Sequence, residues 1–453
     1  MLSVLLTFVI CVSCSSSATV SEPAPVPVPP ASATPVGQAT DAAPPAPPTP
    51  AHPTPAPPTP APKSPVPPGP TVVEAVAGLQ TGLDVVVDND LESLHGLRVG
   101  VIANQTSQTS EGRHIIDVLH DHPLVELVAV FAPEHGVRGL AAAGEAVGDT
   151  VDPTTGTTIR SLYGSSRSPQ PEDLAAIDVL VYDLQDVGAR FYTYISTMGL
   201  AMAAAHDAGV EVVILDRPNP LGGVYVAGFV RTAEHVSFIS QYPVPSVYGM
   251  TAGELAIMVA TEGWVDGRVL TPPTVIPMAG WDRSLRWSDL DRSWVAPSPG
   301  LPTSDAAMIY PGTVLFEATT LDYGRGTDAP FTRITAPWID TDALLSELGE
   351  QQLRGVRFVA PREGSGFEIL VDDASAVDPS QLGVHLVVAL QRHAVSQGEP
   401  DIIDRPATFD LLAGTTRLRT MIGAGEEPAD IAAAWTDEVE SFAALRAQYL
   451  MYD

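Results

Sequence analysis

Four short apolar runs mark the chain between residues 98 and 215: Arg98–Ala103 (RVGVIA), Leu124–Phe131 (LVELVAVF), Ile177–Tyr182 (IDVLVY) and Gly209–Leu215 (GVEVVIL). Each is rich in β-branched residues and largely continuous rather than strictly alternating, the pattern of strands buried on both faces of a parallel sheet. The stretches between them carry helical spacing, and Gly199–Ala208 reads as a helix that stops at Gly209. Strands alternating with helices predict an α/β fold of the Rossmann-like, doubly wound type.

The first 70 residues follow other rules. Leu2–Val12 is almost wholly apolar and is followed by Cys14 and three serines. It is too short to span a bilayer comfortably but fits the core of a secretory signal. Cys11-Val12-Ser13-Cys14 resembles a bacterial lipoprotein cleavage box with Cys14 as the lipidated residue, so residues 1–14 are expected to be a signal segment and the protein to be exported and lipid-anchored in the bacterial envelope. Residues 15–71 are mostly Pro, Ala, Thr and Ser, and Pro23–Pro70 holds 21 of the chain's 44 prolines. Such a stretch cannot build a packed core and is expected to act as a disordered, extended spacer. The folded body starts near Val72.

Charge narrows the partners. Against 54 Asp plus Glu stand 23 Lys plus Arg, a formal charge of -31. Lys63 is the single lysine. A nucleic-acid binder needs clustered cations, and so does electrostatic docking on an anionic membrane surface; neither is expected here. Both cysteines lie within the first 14 residues, which removes thiol catalysis from the body.

Candidate chemistry sits just after the strands. Asn104-Gln105-Thr106 follows the first, Pro133-Glu134-His135-Gly136 the second, Asp183-Leu184-Gln185-Asp186 the third and Asp216-Arg217-Pro218-Asn219 the fourth. Open α/β sheets bind ligands outside the carboxyl ends of their strands, so these polar turns are expected to converge on one crevice. The turn after the first strand lacks the glycines that a dinucleotide pyrophosphate needs, and there is no Walker A sequence, no H-E-x-x-H and no G-x-S-x-G. No cofactor and no metal are expected. What remains is carboxylate chemistry, and paired carboxylates in a cleft are the apparatus of glycoside hydrolysis.

Read in order, these words resemble the NamZ-type exo-β-N-acetylmuramidases, glycoside hydrolase family 171, long described as a domain of unknown function. The likeness rests on Thr81–Asp84, Asn104–Thr106, Phe131–Gly139, Ser161–Gly164, Asp183–Met198 (DLQDVGARFYTYISTM), Leu215–Gly223, Tyr248–Leu255, Pro297–Pro299, Tyr310–Thr313, Gly324–Thr327 and Ala336–Trp338. It implies a Rossmann-like catalytic domain over 72–232, a C-terminal α/β domain over 233–453, and an active cleft between them. The implied reaction releases N-acetylmuramic acid from the non-reducing end of peptidoglycan fragments. Its implied partners are peptidoglycan-derived saccharides, with a membrane engaged only through the lipid anchor. The C-terminal half departs from the family's usual words: Pro299-Gly300-Leu301-Pro302-Thr303 lacks an Asn, Glu317-Ala318-Thr319-Thr320 replaces E-G-T-N, and Gly366–Leu370 lacks a Cys. These departures bear on sub-site detail, and they give the alternative of a cell-wall or sugar-binding lipoprotein without catalysis.

Glu134 is the expected general acid, since a carboxyl held at a buried strand end favours its neutral form and can donate to a glycosidic oxygen. Asp186 is the expected second catalytic carboxylate, with Glu317, Asp183, Asp216 and the sugar's own acetamido group as alternatives. Asn104, His135, Arg190, Tyr192, Glu317 and Arg325 are the expected substrate-binding residues. Arg190 and Arg325 suit the lactyl carboxylate of muramic acid, because a planar guanidinium holds a carboxylate by two hydrogen bonds. His135, next to Glu134 in an extended segment, would point the other way. Asn104 either bonds sugar hydroxyls or satisfies its own loop.

Overall fold

The computed structural model describes residues 78–137, 148–164 and 166–453. The expected signal segment, lipidation residue Cys14 and spacer lie outside the described residues. The described residues form one compact unit. Its first half holds helices α1 (Gly82–Asp88), α2 (Ile115–Asp121), α3 (Pro171–Leu174), α4 (Tyr194–Ala208) and α5 (Ala252–Thr261). They surround strands β1 (Arg98–Ala103), β2 (Glu126–Ala132), β3 (Thr150–Val151), β4 (Thr158–Ser161), β5 (Val179–Asp183), β6 (Glu211–Leu215) and β7 (Thr274–Ile276). The strands form one sheet in the order β3-β4-β2-β1-β5-β6-β7, parallel throughout except for the β3 edge.

Alternation along the central strands explains why both faces are covered. Val99, Val101 and Ala103 of β1 join Val179 and Val181 of β5 in a core with Leu83 of α1 and Ile115 of α2. Ile102, Leu180, Tyr182 and Ile214 point the other way, into a core with Met198 of α4 and Leu255 of α5. Successive strand residues face opposite sides, so each core takes one parity of the same strands. The doubly wound expectation therefore holds. Chain order reverses at β1, with β2 on one side and β5 on the other, which places a crevice at the carboxyl ends of those strands. Helix α4 ends where expected, on Gly209 in the left-handed conformation at φ 71°.

The sheet does not stop at residue 232, where the sequence suggested a domain boundary. Segment 233–276 supplies α5 and β7 to the same layered unit. A second, three-stranded antiparallel sheet follows, β8 (Arg333–Thr335), β9 (Val356–Val359) and β10 (Gly366–Val371), in the order β8-β10-β9. It accompanies α6 (Ser304–Thr313), α7 (Thr341–Glu350) and α8 (Pro379–Ser396). Helices α6 and α8 meet backbone to backbone. A Cβ on Gly312 would lie 2.3 Å from Pro379 O, and one on Gly383 would lie 2.4 Å from Gly312 Cα. Only glycine permits that approach, and it seats α6, which carries Tyr310 and runs on into the short 3-10 segment Val314–Ala318.

Candidate active site

The turn after β2 decides where Glu134 points. Gly136 N–H donates to Pro133 O at 3.0 Å, and His135 takes φ 72°. That is a tight turn with its third residue in the left-handed region, a conformation a non-glycine residue adopts at a cost. It breaks the alternation of an extended segment, so Glu134 and His135 both line the same cavity of about 400 Å³. The sequence had set them on opposite sides because it treated this segment as a continued strand. Glu134 is 8% exposed. Thr193, just before α4, donates its hydroxyl to Glu134 Oε2 at 2.7 Å. The Tyr163 hydroxyl, in the loop after β4, also bonds Glu134; burial and then the Glu134 charge push that phenol up to about 12, which keeps it a proton donor at neutral pH. Two hydroxyls from two elements thus fix the carboxyl, and hydroxyls can donate or accept as its protonation changes.

The C-terminal half closes the cavity with Glu317 and Arg325. Burial raises the Glu317 pKa above the usual range, Arg325 and Arg405 oppose the rise, and the Glu134 charge adds to it. Arg325 feels both carboxylates: its pKa is raised first by its bond to the Tyr323 hydroxyl, at 3.4 Å, with Glu317 and Glu134 contributing. Two carboxylates and a guanidinium therefore address one cavity. Aromatic rings complete it: Phe191 meets Tyr310 edge-on at 5.3 Å, Tyr310 meets Phe331 at 5.0 Å, and Phe331 stacks on Tyr323 at 5.3 Å. Phe331 sits at φ 61°, rare for a bulky side chain, so a second strained residue lines the same cavity. Gly300 and Leu301, from one of the words that departs from the family pattern, also line it.

Of the expected site residues, Glu134, His135, Tyr192, Glu317 and Arg325 come together here. Three do not. Asp186 lies beneath the wall, 6% exposed, and is not among the lining residues. Its Oδ2 accepts from Gly188 N at 2.8 Å and from the Tyr248 hydroxyl, while Oδ1 is buried with no hydrogen-bond partner. Burial pushes its pKa up to about 6 against the help of those donors. The turn that holds it curls inward because Gly188 adopts φ 73° against the Asn219 side chain. Arg190 is fully buried and donates to Phe229 O, Val244 O and Leu412 O at 2.7, 3.0 and 2.7 Å. It satisfies carbonyls inside the protein and has no reach to a sugar carboxylate. Asn104 is also fully buried: Oδ1 accepts from Thr106 N and Nδ2 donates to the Tyr194 hydroxyl at 2.8 Å. Tyr194 in turn donates to Pro297 O at 2.6 Å, so Asn104 braces the segment leading to Ser298 on the cavity wall.

The two remaining carboxylate alternatives do not line the cavity and are bonded within the protein. Asp183 pairs with the Arg217 guanidinium at 2.5 Å, both buried. Asp216 accepts from Gly253 N and the Thr251 hydroxyl at the start of α5. Thr193 and Tyr163 were missed as clamps on Glu134. Both lie in words that carry the family resemblance, Asp183–Met198 and Ser161–Gly164, but nothing in the sequence says that two hydroxyls converge on one carboxyl. None of the tryptophans lines the cavity.

Comparison with known proteins identifies the family. Residues 99–305 match the family described as exo-beta-N-acetylmuramidase NamZ, N-terminal, and residues 308–452 match its C-terminal counterpart. The chain is 36% identical over 385 residues to the peptidoglycan beta-N-acetylmuramidase NamZ of Bacillus subtilis, covering 83% of this chain and 91% of that protein. Two crystal structures of DUF1343 family proteins from Bacteroides fragilis share the fold. One superposes with a TM-score of 0.75 at 33% identity, the other with 0.66 at 29%, each over 83% of this chain and 99% of the other. Matched in order by both halves of one family, with two carboxylates facing a single cavity, the chain belongs to the NamZ exo-beta-N-acetylmuramidase family of glycosidases.

Proposed function

We propose that the protein hydrolyses peptidoglycan fragments from the non-reducing end, releasing terminal N-acetylmuramic acid, with Glu134 as the general acid. The observation that carries this reading is the meeting of Glu134, Glu317 and Arg325 on one cavity of about 400 Å³. That volume is near the lower end for ligand sites and suits one sugar rather than a length of glycan. Arg325 offers the lactyl carboxylate a charge-assisted, two-point contact, the role the sequence had divided between Arg190 and Arg325. The aromatic rings offer the pyranose an apolar face. Glu134, held by Thr193 and Tyr163, donates its proton to the glycosidic oxygen as the bond to the anomeric carbon breaks. Glu317 is the second carboxylate of the reaction, in the place first offered to Asp186: it either takes a proton from the water that attacks the anomeric carbon or bonds that carbon until water displaces it, so the sugar leaves carrying a hydroxyl where the glycosidic oxygen was. Outside the cell, a lipid on Cys14 and the spacer over 15–71 hold this body at the bacterial envelope.

A specific observation favours the exchanged assignment, with Glu317 as acid: burial raises its proton affinity. Leaving-group dependence separates the two. On a series of aryl N-acetylmuramides, Glu134→Gln should keep most of its rate with the best leaving group and lose it progressively as the leaving group becomes more basic, whereas Glu317→Gln should be slow on all. The opposite pattern assigns the acid to Glu317. Absence of turnover by the unmodified protein on every member, with muropeptides still bound, would leave a sugar-binding lipoprotein in place of the enzyme.

A further inference from the structure

Away from the catalytic cavity, three side chains from two separate segments converge: Asp90, in the link after α1, His95, five residues on, and His122, at the end of α2. We propose that they form a binding site for a late first-row divalent cation of the Zn²⁺ type. The site is independent of the active-site reading and departs from the expectation, drawn from motif spacing, that the chain has no metal site. His95 and His122 are 27 residues apart, so no local pattern announces them.

The geometry is specific. One ring nitrogen of His95 and one of His122, with an Asp90 carboxylate oxygen, all lie within 4.8 Å of one another. His122 Nε2 is 3.3 Å from Asp90 Oδ1, and His95 Nε2 is 2.7 Å from the Asp90 carbonyl oxygen. Ligand atoms bonded to Zn²⁺ at about 2.0–2.1 Å in a tetrahedron lie roughly 3.3 Å apart, so the Asp90–His122 pair already has the separation of two ligands of one ion. The imidazoles stack face to face, centroids 5.1 Å apart and planes 19° from parallel, which sets both Nε2 atoms toward the same aspartate. A shift of His95 by about 1.5 Å at most closes the third side. Two nitrogens and one carboxylate suit Zn²⁺, Ni²⁺ or Cu²⁺, and they disfavour Mg²⁺ and Ca²⁺, which take oxygen ligands. The Asp90 side chain is 84% exposed, leaving room for water at the fourth position.

Two further features fit. Asp90 and Leu91 both adopt φ 54°, a left-handed pair of non-glycine residues that holds the Asp90 carbonyl and carboxylate toward the histidines. Gly96 N–H donates to Leu124 O at 2.7 Å, so the two segments are already joined at the amino ends of β1 and β2. The catalytic cavity opens at the opposite, carboxyl ends. A cation here would tie the α1–β1 link to the α2–β2 link and stabilise the sheet without entering the reaction. Ligation through His122 Nε2 moves that ring's proton to Nδ1 and gives up the 3.3 Å contact with Leu124 N–H, and ligation through His95 Nε2 likewise moves its proton to Nδ1 and gives up the bond to the Asp90 carbonyl.

The test uses the full chain purified without a polyhistidine tag and stripped with chelator. Titration with ZnCl₂, followed by calorimetry and by thermal unfolding, should show saturable binding of one ion per chain and a rise in midpoint, with no response to MgCl₂. Asp90→Asn, which keeps a side chain tolerant of the left-handed backbone, His95→Ala and His122→Ala should each weaken binding at least about tenfold. His206→Ala, at an exposed histidine elsewhere, should bind as the parent does. Turnover on a chromogenic muramide should be the same in all five proteins. No saturable Zn²⁺ binding by the parent chain, or equal binding by the His95 and His122 variants, would overturn the assignment.

Discussion

Replacing Asp186 with Asn separates a chemical role for this carboxyl from a structural one. Asn keeps an oxygen for Gly188 N–H and the Tyr248 hydroxyl and removes the charge. In the folded protein the Asp186 pKa stands at about 6, raised from 3.8 chiefly by burial. Folding therefore binds the proton more tightly than the unfolded chain does. The contribution to stability is fully present below pH 3.8 and is lost as pH rises through about 6. The gap is about two units, and at about 1.4 kcal/mol per unit it amounts to about 3 kcal/mol withheld from the folded state at pH 7 and above. Asp186→Asn should be more stable than the parent by up to that amount at pH 7.5, and the advantage should vanish below about pH 4. Urea unfolding at a series of pH values measures it. Activity on an aryl muramide should stay within a few-fold of the parent, since Asp186 does not line the cavity. A variant that folds but has lost turnover would return Asp186 to the catalytic machinery, and one less stable at pH 7.5 would refute the burial argument.

Arg325→Ala should raise KM for N-acetylmuramides by about 10–150-fold, the worth of a charge-assisted hydrogen bond at about 1.5–3 kcal/mol, and change KM for the matching N-acetylglucosaminide little. Comparing KM on the two substrates checks it. Gly383→Ala drives a methyl into Gly312 Cα at 2.4 Å and should cost about 1–3 kcal/mol in urea unfolding, with a further loss of turnover because α6 leads to Glu317. Arg190→Met takes a donor from three buried carbonyls, of which Val244 O keeps Arg231 N–H at 3.4 Å, and should destabilise by about 2–6 kcal/mol, read as a fall in the urea midpoint. Thr193→Val removes one of the two hydroxyls that fix Glu134 and should lower kcat by about tenfold or more with KM nearly unchanged, measured on an aryl muramide with a poor leaving group.

The central strands were legible because burial on both faces forces continuous apolar runs. β1 and β5 lie within residues of the sequence expectation, while β2 begins two residues later than Leu124 and ends one residue beyond Phe131. β4, a four-residue run of Thr158, Ile159, Arg160 and Ser161, and β7, three residues long, carry too few apolar positions to announce themselves, and missing β7 set the domain boundary too early. At the site, chemistry at the strand ends was legible and direction was not. A positive φ at His135 rotates Glu134 and His135 to one side, and a positive φ at Gly188 accompanies the inward turn that buries Asp186. A single sequence also cannot tell an arginine that meets ligand from one that caps carbonyls. Arg190 and Arg325 both sit in glycine-flanked turns, yet Arg190 is fully buried and Arg325 is exposed. Glu317, 183 residues from Glu134 along the chain, reaches the cavity through the seating of α6 on α8, which no local pattern encodes.

The most direct measurement is product analysis on two defined disaccharides, one with N-acetylmuramic acid at the non-reducing end and one with N-acetylglucosamine there. The parent protein should release free N-acetylmuramic acid from the first and leave the second intact, and Glu134→Gln should release none from the first at a rate above about a thousandth of the parent's. Equal cleavage of both disaccharides, or undiminished release by Glu134→Gln, would contradict the account.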